Sequence, residues 1–207
     1  MLKELLERYP ELESCRESIE SAKEKMISAF ADGKKLLVCG NGGSCADSDH
    51  IVGELMKGFL LRREIPKADR EGMKELFPEC GDYLADNLQG AMPAISLTAH
   101  SGLISAFAND VAPDMVYAQQ VYGYGIKGDV FVGLTTSGNS ANVVNAAMVA
   151  KTKGMTVIGM VGAKDCKLDG IADVVIHAPE TETFKVQELH LPIYHYLCAA
   201  CEDKFFG

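Results

Sequence analysis

The sequence predicts an α/β protein, a three-layer α/β/α sandwich around a five-stranded parallel sheet. Five short apolar runs alternate with helical segments of about a dozen residues or more, the length that crossovers between parallel strands need. Glycine- and serine-rich turns follow two of the runs. The chain has 207 residues, of which 47% are hydrophobic, and this favours a single domain over residues 1–207.

The individual elements follow from hydrophobic periodicity. Residues 1–31 carry apolar side chains at helical spacing and predict one long amphipathic helix. Strands are predicted at 34–39, 93–99, 129–134, 155–161 and 173–177, and helices at 44–59, 142–153 and 187–204, with further helical stretches up to residue 120. Residues 62–92 are charged and turn-rich, and we interpret them as an insertion with one or two short helices.

Composition excludes several classes of function. The net charge of −9 argues against a nucleic-acid partner, which needs a basic face. No apolar stretch approaches the roughly 20 residues of a membrane span, so no membrane partner is expected. Seven scattered cysteines suit a reducing, cytoplasmic location. Cys198 and Cys201 form a C-x-x-C pair; redox or metal chemistry is one interpretation, but packing on one helix face is favoured because no second pair exists.

The turn "GNGGS" at residues 40–44 does not match either common nucleotide fingerprint. The third glycine of a dinucleotide motif would fall on Cys45, and no G-K-[ST] occurs, so no nucleotide cofactor is expected. What remains is a tight strand-to-helix turn that lets backbone approach a ligand, with Ser44 as the predicted cap.

The second turn, "TTSGNSAN" at residues 135–142, places several hydroxyls at a predicted helix N-terminus. Free N–H groups and the helix dipole favour an anion there. One N-cap residue would suffice for the helix, so the whole cluster favours a phosphate site over mere capping. A helix N-terminus would also attract an anion to a protein whose overall charge repels it.

Together, "GNGGS" and "TSGNSAN" resemble the sugar isomerase (SIS) phosphosugar-binding domain, a flavodoxin-like or Rossmann-like fold, over nearly the whole chain. His50-x-x-x-Glu54, Asn109-Asp110 and Gln187-Glu188 followed by His195 resemble its phosphoheptose isomerase branch. The branch resemblance implies conversion of sedoheptulose 7-phosphate to D-glycero-D-manno-heptose 7-phosphate through an enediol.

The resemblance also implies a set of site residues. Glu54 and His195 would be catalytic, while His50, Glu54, Gln187 and His195 would hold the zinc ion that some members bind. The substrate-binding residues would be Asn41, Gly42, Gly43, Ser44, Glu54, Asn109, Asp110, Thr135, Thr136, Ser137, Ser140 and Gln187. It further implies a homotetramer with sites at subunit interfaces. His190 carries no match and is expected to pack in the core.

Three departures from the family pattern concern the part of the expected site that would bind the sugar rather than the phosphate. Members commonly show Gly, a basic residue and an aromatic after the glutamate, whereas this chain has Lys57-Gly58-Phe59. Phe184 stands where members often have a polar residue, and the 62–92 segment is longer than in compact members. The exact sugar therefore stays open, and an isomerase of a hexose or pentose phosphate is an alternative.

The spacing of Gln187 and His195 has a geometric consequence. Eight helical residues separate two Cα atoms by about 12 Å and rotate the face by about 80°. We therefore hypothesise a composite site in which a neighbouring subunit supplies some residues. A non-catalytic, phosphosugar-binding regulator is the rival function; such a protein is expected to lose the Glu/His pair, which this chain retains.

Overall fold

The computed structural model describes all residues, Met1 to Gly207, and confirms the predicted α/β class. Five parallel strands form one sheet in the order β2-β1-β3-β4-β5. They are β1 (Leu36–Gly40), β2 (Ala94–Ser96), β3 (Val130–Leu134), β4 (Thr156–Val161) and β5 (Val174–His177). Every predicted strand is present, and β2 is the most shortened.

Nine α-helices connect and cover the strands. They are α1 (Leu2–Arg8), α2 (Arg16–Ala31), α3 (Gly43–Met56), α4 (Lys67–Leu76), α5 (Gly81–Asn87), α6 (Ser101–Asp110), α7 (Val116–Tyr124), α8 (Ala141–Thr152) and α9 (Thr183–Phe206). Short 3-10 helices lie at Pro10–Cys15, Pro113–Met115 and Lys167–Gly170. None of these helices combines the length and apolar character that crossing a bilayer would need.

The prediction of one continuous helix over residues 1–31 is wrong. The chain leaves helical geometry at Tyr9, where φ is −133° and ψ is 72°, and a 3-10 helix starts at Pro10. A proline lacks the N–H for an interior helical bond and disfavours helical geometry at the preceding residue, so the helix ends there. The apolar periodicity was nevertheless informative, because Leu5, Leu12 and Ile19 are all buried.

Two apolar cores, one on each face of the sheet, make the predicted three layers. Leu36 and Val38 point into the core under α2, α3 and α9, whereas Leu37 and Cys39 point into the core under α7 and α8. All five residues of β1 are buried, as expected for a central parallel strand covered on both faces.

The segment at residues 62–92 contains two short helices, as predicted, and its start is part of the core. Helices α4 and α5 lie side by side, and no residue of α4 is buried. Arg63, in contrast, is only 1% exposed and forms an ion pair with Glu202 of α9 over 2.8 Å. The exposed helices therefore project from a segment that is tied to the body of the fold.

The topology places a crevice beyond β1 and β3. From β1 the chain crosses to β2 on one side, while β3 pairs with the other side, and Gly40 stands beside Leu134. Ligands of open α/β sheets bind at the carboxyl ends of the strands where the order reverses in this way. The turns at residues 40–44 and 135–140 both lie at this point.

Candidate active site

A cleft of about 350 Å³ opens at the carboxyl ends of β1 and β3. Its lining residues are Asn41, Gly42, Gly43, Ser44, Leu134, Thr135, Thr136, Ser140, Thr183 and Gln187. They come from both predicted turns and from α9. None of them carries a charge, so hydroxyl, amide and backbone groups supply all of the cleft's polarity.

Three helix N-termini meet at this cleft. Helix α3 begins at Gly43, α9 begins at Thr183, and Ser140 directly precedes α8. In none of the three does the N-cap side chain bond a backbone N–H of the first turn. Each helix start has unsatisfied N–H donors and a partial charge of about +0.5, so their convergence favours an anionic ligand.

The prediction that Ser44 caps α3 is wrong. The helix already begins at Gly43, so Ser44 is its second residue, and its carbonyl accepts a hydrogen bond of 2.7 Å from the Ser48 hydroxyl. Ser44 still lines the cleft, but it is 97% buried beneath the turn. Glycine at position 42 takes the cap position with φ of 57°, a conformation that a side chain would disfavour.

The two turns are held to each other by side-chain hydrogen bonds. The amides of Asn41 and Asn142 exchange two bonds of 2.9 Å. Within the serine turn, the hydroxyls of Thr135 and Ser140 are 2.9 Å apart. Gly138 has φ of 65°, and a side chain there would overlap the Sγ of Cys166. The turn is thus fixed before any ligand arrives.

Four of the predicted substrate-binding residues lie outside this cleft: Glu54, which lies further along α3, and Ser137, Asn109 and Asp110. Ser137 lines a neighbouring cavity of about 190 Å³, and its hydroxyl accepts a bond from the backbone N–H of Asn139. Asn109 and Asp110 are exposed at the end of α6, where the Asn109 amide donates to the Asp110 carboxylate over 2.8 Å. Thr136 lines both cavities, so Ser137 adjoins the cleft, whereas within one chain Asn109 and Asp110 are not joined to the other predicted residues.

Helices α3 and α9 lie side by side and run in the same direction. Their contacts determine where the predicted catalytic and zinc-binding side chains lie. At their N-terminal ends Gly43 is so close to Gln187 that a Cβ on the glycine would lie 2.6 Å from Nε2 of Gln187. Further along, His50 contacts Tyr194, and past the end of α3 the backbone of Phe59 contacts Glu202. Gln187 therefore lies at the anion cleft, whereas His195 lies further along α9, beside His50.

Glu54 lies at the centre of a polar cluster on α3. Its Oε1 is 3.1 Å from Nε2 of His50, and its Oε2 accepts a bond of 3.2 Å from Nζ of Lys57. Glu54 is 9% exposed, so its carboxylate is largely shielded from bulk water. Lys57 is one position away from the basic residue of the family pattern, and its ammonium group still contacts the predicted catalytic carboxylate.

The cluster continues from His50 to two further residues. Nδ1 of His50 is 2.9 Å from the hydroxyl of Tyr194, and that hydroxyl donates to Oδ1 of Asp47 over 3.2 Å. Burial raises the pKa of Tyr194 further above its usual range, so the hydroxyl keeps its proton. Burial also raises the pKa of Asp47 above its usual 3.8, while the bond from Tyr194 opposes that shift.

His195 lies against this cluster on the side of Phe59. Its ring centroid is 5.0 Å from that of His50 and 5.4 Å from that of Phe59, and its Nε2 is buried without a hydrogen-bond partner. Burial and the nearby His50 lower the pKa of His195, while Glu54 opposes them. A neutral imidazole with an unpartnered nitrogen is suited to exchange protons with a ligand.

The predicted zinc ligands come together only in part. His50 and Glu54 place a nitrogen and an oxygen donor side by side, and the unpartnered Nε2 of His195 is a third suitable donor nearby. Gln187 lies about two helical turns away along α9. No three His, Cys, Asp or Glu side chains of the chain already form a metal-binding group. The donor types fit zinc, but one subunit does not converge all four.

The packing interpretations of Cys198, Cys201 and His190 are confirmed. Both cysteines are on the core-facing side of α9, where burial raises the pKa of Cys201 to about 12 and that of Cys198 well above its usual range. His190 is fully buried, and its Nε2 is 3.2 Å from the carbonyl of Val161.

Several residues of the site were not among those predicted from the sequence. Thr183 enters the cleft because α9 begins four residues before Gln187, and Asn142 follows the serine turn as the partner of Asn41. Asn142 belongs to the TTSGNSAN turn, and its position in the first turn of α8 was an available signal, because the neighbouring GNGGS turn also carries an asparagine. Tyr194 and Asp47 become recognisable only when α3 and α9 are in contact.

The sequence matches a known protein family over most of the chain. Residues 2–69 and 72–162 match the SIS domain family. The phosphoheptose isomerase of Aneurinibacillus thermoaerophilus is 33% identical over 188 residues, which are 91% of this chain and 82% of that protein. The chain therefore belongs to the SIS domain family and, within it, to the phosphoheptose isomerase family of enzymes.

Solved structures show the same fold. The structure of phosphoheptose isomerase GmhA from Neisseria gonorrhoeae is 30% identical, with a TM-score of 0.76, and covers 97% of this chain and 94% of its own. A phosphoheptose isomerase from Francisella tularensis is 26% identical with a TM-score of 0.78, covering 95% and 91%. The expected fold and family are thus confirmed.

Proposed function

We propose that the protein is an aldose–ketose isomerase that converts sedoheptulose 7-phosphate to D-glycero-D-manno-heptose 7-phosphate. The observation that carries the proposal is the pairing of an uncharged cleft at three helix N-termini with the Glu54–His195 cluster further along the same two helices. The cleft binds the phosphate through N–H and hydroxyl groups, while the cluster provides the acid–base chemistry.

The reaction moves a proton between two neighbouring carbons. Glu54 takes the proton from C1 while His195 gives a proton to the carbonyl oxygen on C2, which forms the enediol. His195 then takes the proton from the oxygen on C1, and Glu54 returns its proton to C2. The aldose forms, and both side chains recover their starting states.

The length of α3 supports a long sugar phosphate. Gly43 and Glu54 are separated by about 16 Å of helix rise and three turns, which puts them on one face. An extended seven-carbon chain with its phosphate spans about 10 Å, given single bonds of about 1.5 Å. The difference between these two lengths is covered by the Glu54 side chain, which leans toward the helix N-terminus, and by the hydrogen bonds at each end of the ligand. A five-carbon phosphate would be about 2.5 Å shorter.

We also propose that the complete site is shared between subunits of a homo-oligomer, a tetramer by family resemblance, in the cytoplasm. Supporting this, His195 and Phe59 line an apolar groove of about 440 Å³ on the outer face of α9, away from Gln187. His50, Glu54 and His195 would hold zinc, with Gln187 supplied across an interface. Bound zinc would supply a Lewis acid for the carbonyl oxygen. Free cysteines support a reducing compartment.

The proposal is tested by turnover of sedoheptulose 7-phosphate. Glu54→Gln should lower kcat by about 100-fold or more, because the amide cannot accept the C1 proton. Binding should persist, since the cleft is unchanged, and sedoheptulose 7-phosphate should still raise the melting temperature of the variant. Glu71→Gln makes the same chemical change on exposed α4 and is the matched control.

The outcomes separate the alternatives. If Glu54→Gln has the same kcat as the wild type, Glu54 is not the base that accepts the C1 proton. A wild-type protein that is stabilised by the sugar phosphate but does not convert it, with or without zinc, would favour the regulatory function. Activity on a pentose or hexose phosphate alone would retain the chemistry and change the substrate.

A further inference from the structure

Tyr194 occupies a position where its hydroxyl is not needed for packing. Its side chain is 1% exposed, and its ring meets that of His50 edge to face, with centroids 5.5 Å apart and planes at 78°. A phenylalanine would fill the same space. Burying a hydroxyl is costly unless it finds partners, and both partners of this one belong to α3.

The proton of the Tyr194 hydroxyl is committed to Asp47. An ionised carboxylate only accepts hydrogen bonds, and a tyrosine hydroxyl has a single proton to donate. With that proton on the 3.2 Å bond to Asp47, the hydroxyl must act as acceptor on its other side. The 2.9 Å contact to His50 is then a bond donated by Nδ1–H of His50.

This assignment fixes the second nitrogen of His50. A neutral imidazole that carries its hydrogen on Nδ1 presents a lone pair at Nε2. That lone pair faces Oε1 of Glu54 at 3.1 Å, so a proton or another cation is needed between them. Without the bond to Asp47, the hydroxyl could donate to His50 instead, and His50 would donate its Nε2–H to Glu54.

We propose that Tyr194, with Asp47 behind it, is a positioning residue that fixes the tautomer and ring orientation of His50 and thereby aims the lone pair at Nε2 of His50 toward Glu54. The inference rests on the proposed function for the importance of Glu54, but the tautomer itself does not depend on any substrate. Residues that orient an active-site or metal-binding histidine commonly change activity by about 10–100-fold when removed.

The test compares Tyr194→Phe with Tyr196→Phe. Tyr196 is on the same helix, and its hydroxyl also donates to a carboxylate, that of Glu20 on α2, which is remote from His50. The tautomer of His50 is read from two-bond 1H–15N NMR spectra, assigned by comparison with His50→Gln. Kinetics with sedoheptulose 7-phosphate give kcat and KM separately.

In wild type and in Tyr196→Phe we expect His50 with hydrogen on Nδ1. In Tyr194→Phe that signature should be lost, with kcat reduced about 10-fold and KM within about two-fold, because the phosphate cleft is untouched. Asp47→Ala should shift His50 toward the Nε2–H tautomer while retaining Tyr194, and it carries the test if Tyr194→Phe does not fold.

An unchanged Nδ1–H signature in both Tyr194→Phe and Asp47→Ala would overturn the proposal. An equal fall of kcat in Tyr196→Phe would also overturn it, since the effect would then belong to α9 packing. If wild type does not convert the heptose phosphate, the NMR comparison still decides the positioning role, and only the proposed function fails.

Discussion

At the scale of residues, the two histidines of α9 have different surroundings. His195 is partly accessible beside His50, whereas His190 is fully buried with one nitrogen unpartnered. Burial lowers the pKa of His190 to about 4, and its bond to the Val161 carbonyl only partly opposes this. A buried neutral histidine makes the stability of the fold depend on pH.

We expect His190 to make the folded state less stable in mild acid. Between pH 6.5 and about 4 the unfolded chain binds a proton at this residue and the folded chain does not, so stability falls as pH falls. This loss of folding free energy is absent above pH 6.5 and reaches roughly 3 kcal/mol near pH 4. His190→Gln keeps a donor for Val161 and should flatten this part of the pH dependence in urea unfolding; an unchanged slope would contradict the assignment.

Single residues of the site were predictable where a local motif contained them. The glycine and serine turns placed Asn41, Gly43, Thr135 and Ser140 in one cleft because both turns follow neighbouring parallel strands. Tyr194 could not be predicted, since its role depends on the side-by-side contact of α3 and α9. Within one chain Asn109 and Asp110 stay exposed and apart from the cleft, which no motif indicates.

At the scale of elements, a buried ion pair holds the end of α3. Arg63 donates to Glu202 over 2.8 Å and to the carbonyls of Leu55 and Glu54 over 2.6 and 2.8 Å. Glu202 in turn accepts the backbone N–H groups of Phe59 and Leu60, each over 2.7 Å. Burial would raise the pKa of Glu202, but these N–H groups and Arg63 together hold it below its usual value.

Arg63→Met should destabilise the fold by about 3–5 kcal/mol, because Glu202 would lose its only buried counter-charge. Adding Glu202→Gln removes the stranded charge, so the double variant should lose less stability than the sum of the single changes. Guanidinium unfolding of the four proteins measures this coupling. Additive losses would show that the pair acts as two independent contacts.

The sequence did not reveal this ion pair, because Arg63 lies in a segment whose composition indicates solvent exposure. Its partner is 139 residues further along the chain. The helices themselves were easier to predict: α8 was predicted to within one residue at each end, whereas α9 begins four residues earlier than predicted. The N-terminal helix was overextended because apolar periodicity continues through Pro10 while the backbone does not.

At the scale of the whole molecule, the proposed sharing of the site can be tested by mixing subunits. Co-expressed His195→Ala and Gln187→Ala chains should regain part of the activity that each lacks alone, because some mixed interfaces combine the intact Gln187 of one chain with the intact His195 of another. Glu54→Ala mixed with His195→Ala is the matched control and should recover nothing, because one chain supplies both of these residues. Mixed His195→Ala and Gln187→Ala oligomers, verified by mass, that remain as inactive as either parent would contradict the shared site.

The architecture was predictable because the order and the lengths of the apolar and helical segments in the sequence both agree with it. Alternation of strands and long helices predicts a parallel sheet with two covered faces, and the sheet has them. The association of subunits was not predictable from composition, since an apolar groove such as that beside His195 is formed by residues from α1, α9 and the loop after α3.

The absence of charged residues from the anion cleft has a consequence for how the ligand arrives. With a net charge of −9, the protein repels a phosphate dianion at long range, and the helix dipoles attract it only within the first turn. Dissolved salt screens the repulsion more than it screens the short contacts. Rising ionic strength should therefore speed the encounter, whereas a site built from lysines would lose its steering under the same conditions.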